Sequence, residues 1–144
     1  MILHFWINIV WKISNIFIIL VIFVFSLLPT QSIPLNKDIF NYDKILHLIS
    51  YSILGTSFIL ADWNVLKLQS YRYYGKFEVF NSKLVLIFTL CTGYGFLIEI
   101  LQLLSGYRNF DIIDWLFDIL GVLLSIIGLI IYNHIKKSKK LLVN

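Results

Sequence analysis

Four long apolar runs alternate with polar connections along the chain. They extend from about Ile7 to Leu28, Ile45 to Ala61, Leu84 to Leu104 and Ile112 to Tyr132. A hydrocarbon core of roughly 30 Å needs about 20 helical residues, and the runs are of this order. The second is the shortest, with polar Asp43 and Lys44 at its start. The runs are continuous rather than alternating. Backbone amides in lipid must be satisfied within their own segment, so the pattern predicts helices and not strands. Lys12 lies near one end of the first run, where its stem can snorkel.

The connections carry the breakers. Pro29 and Pro34 punctuate the first, from Pro29 to Tyr42. The second, from Asp62 to Lys83, sets Tyr71, Tyr73 and Tyr74 beside Arg72 and Lys76, an aromatic group expected at headgroup level. The third, Ser105 to Phe110, is a tight turn containing Gly106. The tail from Asn133 to Asn144 holds Lys136, Lys137, Lys139 and Lys140. No internal repeat or low-complexity segment appears, so residues 1–144 read as one transmembrane domain. The uncharged stretch Ser14 to Leu28 lacks a small-residue cleavage site after it, and reads as a retained helix rather than a signal peptide.

Composition narrows the class. The chain is 59% hydrophobic and 14% charged, with a mean hydropathy of +0.85. A soluble domain averages roughly 45–50% apolar and about 25% charged residues. A soluble enzyme, a disordered chain and a nucleic-acid-binding domain are excluded. The fold class expected is all-α: an integral membrane four-helix bundle in the cell membrane, with the lipid bilayer as its first partner. The one cysteine, Cys91, sits in an apolar run with no partner for a disulfide or metal motif.

Charge then orients the bundle. Four spans put both termini and the second connection on one side. That side holds nine of the twelve Lys and Arg residues, and the other holds Lys37, Lys44 and Arg108. The positive-inside rule makes both termini cytoplasmic, with the lysine tail against anionic lipid.

The acids run the other way. Of eight, only Asp62 and Glu78 fall on the cytoplasmic side, while Asp38, Asp43, Glu99, Asp111, Asp114 and Asp118 fall outside or in the outer leaflet. Helical spacing groups them. Lys44, His47, Tyr51 and Gly55 share one stripe of the second helix, and Gly95, Glu99 and Gln102 one of the third. Asp111, Asp114, Asp118 and Gly121 share one of the fourth. All three stripes meet at the same depth, and Arg108 caps them from the turn. Ionisable groups in a membrane usually face the bundle interior and often mark function. Glycines 95, 121 and 128 are expected to let the helices approach closely.

The candidate ligand-binding set is therefore Asp43, Lys44, His47, Tyr51, Glu99, Gln102, Arg108, Asp111, Asp114 and Asp118. His47, Glu99 and Asp114 are candidates to hold a divalent cation, the one cofactor the set suggests. Alternatively, His47 or Glu99 acts as general base on a lipid-linked or phosphate-bearing envelope ligand, with Lys44 and Arg108 holding phosphate. Candidate catalytic residues are thus His47, Glu99 and Asp114, but no GxSxG, HExxH or P-loop assigns an enzyme class. Two other readings stand beside these. In one, the charges only fix helix packing in a membrane scaffold with another membrane protein as partner. In the other, the chain is a small transporter module that needs homo-oligomers to form a pathway. Asp111 has a second reading as a helix N-cap, Trp115 is expected as an interfacial anchor, and His4 and His134 are incidental.

In this order the residues resemble the VanZ-like family of small bacterial membrane proteins. The matching elements are Asp43-Lys44-x-x-His47-x-x-x-Tyr51-x-x-x-Gly55, Glu99-x-x-Gln102 and Arg108-x-x-Asp111-x-x-Asp114-x-x-x-Asp118-x-x-Gly121. One position departs: the family more often has Asn where this chain has Asp118. The founding member is linked to resistance to the glycopeptide teicoplanin. The resemblance implies a cell-envelope role and glycopeptide tolerance, and supplies no reaction.

Overall fold

The computed structural model describes residues 2–28, 39–61, 82–106 and 108–142. Four helices lie among the described residues: α1 (Ile2–Leu27), α2 (Ile39–Ala61), α3 (Ser82–Ser105) and α4 (Ile112–Leu142). All four contain windows long and apolar enough to cross a membrane: Ile9–Leu27, Tyr42–Ala61, Lys83–Ser105 and Ile112–Tyr132. The expected spans are thus recovered, and each helix outruns its apolar run at one or both ends. The largest overrun is in α4, which continues through the lysine-rich segment to Leu142. Lysine and leucine are good helix formers, so the helix has no reason to stop where the apolar run ends. Tyr71, Arg72, Tyr73, Tyr74 and Lys76 of the second connection, with Pro29, Pro34, Lys37 and Asp38, lie outside the described residues.

Cross-helix pairs give the topology. Lys44 meets Asp111 and Asp114, His47 meets Asp118, and Ser52 meets the Gly121 carbonyl, so α2 and α4 run parallel. Glu99 meets Asp111, and Thr92 meets Trp115, so α3 and α4 run antiparallel. Tyr94 and Gln102 of α3 donate to the carbonyls of Ile19 and Ser26, which sets α1 parallel to α3. This is an up-down-up-down bundle.

The α2–α4 contact is the most extensive, although the two helices are not neighbours in sequence. Small residues allow it. A Cβ on Gly121 would lie 2.5 Å from the Leu48 carbonyl oxygen and 3.0 Å from the Ser52 nitrogen. One on Gly55 would run into the Ser125 hydroxyl, and one on Gly95 into the Asp118 carboxylate. Gly128 does not do this: a Cβ there meets nothing within 4 Å. It stands on an exposed face of α4.

The molecule is apolar outside and partly polar inside. Phe17, Phe25 and Leu104 are among the many exposed large apolar side chains. The interior mixes Tyr51, Leu54, Ile59, Cys91, Ile98 and Val122 with buried Asn15, His47, Ser57, Glu99, Gln102, Asp114 and Asp118. Lipid rewards this arrangement, since apolar surface loses nothing by facing acyl chains while polar groups need partners. Cys91 is buried, in keeping with its place in an apolar run.

Candidate functional site

The site lies at the end of the bundle away from the termini, where α2 starts, α3 ends and α4 starts. The α3–α4 turn closes this end. Gly106 takes a φ of 71°, and its amide donates to the Leu103 carbonyl at 3.3 Å. That left-handed conformation suits glycine, which has no Cβ to clash. Asp111 then starts α4 as an N-cap. Its Oδ1 accepts the Ile113 amide at 2.8 Å, and its backbone carbonyl accepts the amides of Asp114 and Trp115.

Asp111 does more than cap. Its Oδ2 lies 3.4 Å from Lys44 Nζ, and its own amide donates to Glu99 Oε2 at 3.0 Å. Lys44 also donates to Asp114 Oδ1 at 3.2 Å. One turn deeper, His47 Nδ1 lies 2.8 Å from Asp118 Oδ1. A carboxylate only accepts, so Nδ1 carries the proton and Nε2 of a neutral ring keeps its lone pair. Nε2 faces Asp43, whose Oδ1 is 4.0 Å away, and the other Asp43 oxygen pairs with Arg108. Tyr51 stacks parallel to His47, the ring centroids 6.4 Å apart.

Five carboxylates thus meet two permanent cations and one imidazole, with Glu99 and Asp118 fully buried. One atom each from Asp43, His47 and Asp114 lie within 4.8 Å of one another, a spacing that suits a metal ion. Imidazole nitrogen with two carboxylates suits zinc or manganese. Ligating imidazoles commonly hold a carboxylate with their other ring nitrogen, and His47 has such a contact with Asp118. Sequence spacing grouped Glu99 with His47 and Asp114. The set that converges has Asp43 in its place, while Glu99 holds the Asp111 amide.

The remaining members of the predicted set divide. Gln102 is buried but spends its amide on α1, 3.0 Å from the Ser26 carbonyl. Trp115 is not only an interfacial anchor: its indole N–H donates to the Thr92 carbonyl at 3.0 Å, and its ring packs edge-on against Phe96. An indole N–H turned into the bundle needs such an acceptor. His134 is exposed. Spacing gave no sign of three contacts: Ser52 with the Gly121 carbonyl, Tyr94 with the Ile19 carbonyl, and Asn15 with Ser57. Each pairs residues distant in the chain, and serine or asparagine in a helix carries no periodic signal.

No curated protein and no solved structure matches the chain. One family model does. The VanZ/LLP1 model matches residues 2–135, which takes in all four spans and every residue of the polar cluster. The ordered motifs on α2, α3 and α4 and this near-complete match agree, and the chain belongs to the VanZ-like family.

Proposed function

We propose that this VanZ-like membrane protein binds a divalent cation at the outer-leaflet end of its bundle, through His47 Nε2, Asp43 and Asp114. The observation that carries the reading is the convergence of these three donors in a cluster where carboxylates outnumber permanent cations. Asp118 orients the imidazole, and half-exposed Asp43 forms the mouth. A phosphate ligand fits less well. Lys44 and Arg108 are each already bound to carboxylates, and the excess negative charge repels an anion. The outward orientation rests on the nine-to-three division of Lys and Arg. Family membership supports an envelope role, with glycopeptide tolerance as the phenotype to assay.

The test is a melt of the purified chain in detergent, stripped with a chelator and titrated with zinc or manganese. A ligand bound only by the folded state adds about 2.7 kcal/mol at a hundredfold excess over Kd. The midpoint should rise with one of these metals and stay flat in Asp114→Asn and Asp43→Asn. A wild-type midpoint indifferent to both metals sinks the proposal. With the metal site supported, a strain carrying Asp114→Asn should lose any teicoplanin tolerance that the wild type confers.

A further inference from the structure

Beneath the proposed metal site, three buried polar atoms have no hydrogen-bond partner: the Tyr51 hydroxyl, Glu99 Oε1 and Asp118 Oδ2. Their residues are 1%, 0% and 0% exposed. They come from three different helices, and their neighbours lie close together. Asp118 Oδ2 is the atom nearest the bare face of Gly95, and Glu99 stands one turn further along the same helix. The Tyr51 ring packs on Tyr94, the neighbour of Gly95, with centroids 6.3 Å apart. The other oxygen of each acid is taken, Asp118 Oδ1 by His47 and Glu99 Oε2 by the Asp111 amide. The free oxygens therefore take no part in the contacts that build the cluster above them.

Unsatisfied buried polar atoms are rare and call for an occupant. We propose that Tyr51, Glu99 and Asp118 form a second, inner site that holds a small monovalent cation. Charge chooses the cation over a water molecule. Five carboxylates against Lys44 and Arg108 leave three negative charges uncompensated, and Glu99 and Asp118 touch neither cation. A divalent ion at the mouth removes two of those charges, and one remains in a low-dielectric interior. A water would satisfy the hydrogen bonds and leave that charge buried, which is the costly part. A monovalent ion meets both needs, taking two carboxylate oxygens and the phenol oxygen as hard ligands. Only the charge count rests on the divalent reading; the three unpartnered atoms do not.

The full chain in lipid nanodiscs, stripped of divalent metals, tests this by melting in sodium, potassium and choline chloride at equal ionic strength. The midpoint should be several degrees higher in sodium or potassium than in choline, and the effect should saturate. Glu99→Gln and Asp118→Asn should abolish the difference, and Tyr51→Phe should raise the half-saturating concentration at least threefold. Asp43→Asn should keep the monovalent response while losing the divalent one. If Glu99→Gln does not fold, Asp118→Asn alone decides, since its amide can still accept from His47. Equal midpoints in all three salts overturn the inner site, as does a monovalent response that survives in the carboxylate variants. A divalent response without a monovalent one removes the inner site alone. The opposite pattern removes the outer metal site and leaves the inner one.

Discussion

Lys44 shows how a single residue works here. Its ammonium sits 3.4 Å from Asp111 and 3.2 Å from Asp114, and Asp114 is buried. Removing it strands a carboxylate in a place with little water. Leaving a buried acceptor without its donor costs about 1–3 kcal/mol, and more for a charge. Lys44→Met should lower stability by at least that amount. Adding Asp114→Asn should recover part of the loss, because the neutral amide needs no counter-charge. Chemical or thermal unfolding of the two single variants and the double variant measures the coupling. Additive losses would mean the pair is not the reason Lys44 matters.

Asp118 carries the opposite lesson. One oxygen of its carboxylate meets His47, and the other has no hydrogen-bond partner. Spacing placed Asp118 on the right stripe of α4. It could not say that one oxygen would fix an imidazole and the other would remain unpartnered, because that depends on the α2 and α3 atoms opposite.

At the scale of helices, the α2–α4 contact is set by what is missing. At Gly121 the neighbours are backbone atoms of α2, which cannot rotate away. Gly121→Ala should push the helices apart at an overpacking cost of about 1–3 kcal/mol. Because Lys44–Asp114 and His47–Asp118 bridge the same two helices, the variant should also weaken the proposed metal binding. Gly128→Ala is the control. Nothing lies within 4 Å of its Cβ position, and glycine inside a helix costs roughly 0.5–1 kcal/mol relative to alanine. Stability should stay level or rise slightly. A loss at Gly128 comparable to that at Gly121 would refute the assignment of the contact. The sequence led to the same expectation of close approach at both glycines, although only Gly121 shares the stripe of Asp111, Asp114 and Asp118.

The whole molecule is an asymmetric bundle, with its acidic site at one end and both termini at the other. Single-cysteine labelling tests its orientation. Native Cys91 is buried and should stay silent, while Asn109 and Ser138 are exposed at opposite ends. A cysteine at Asn109 should react with a membrane-impermeant reagent in intact cells, and one at Ser138 only after lysis. The reverse pattern would move the site to the cytoplasmic side.

Much of this architecture was legible along the chain. The four spans, the helical state and the shared depth of the three polar stripes are local properties, set by apolar run length, backbone satisfaction in lipid and helical period. What tertiary structure alone decided is how the groups divide within that depth. The stripes name the residues facing inward, but not which carboxylate oxygen meets which donor. That Asp43 rather than Glu99 joins His47 and Asp114, that Gln102 turns to α1, and that three polar atoms remain unpartnered follow from the parallel seating of α2 on α4. That seating is fixed by close backbone packing at Gly121 and Gly55, between segments some seventy residues apart. No periodicity within one helix carries such information, because the energy of a buried charge depends on the atoms brought against it.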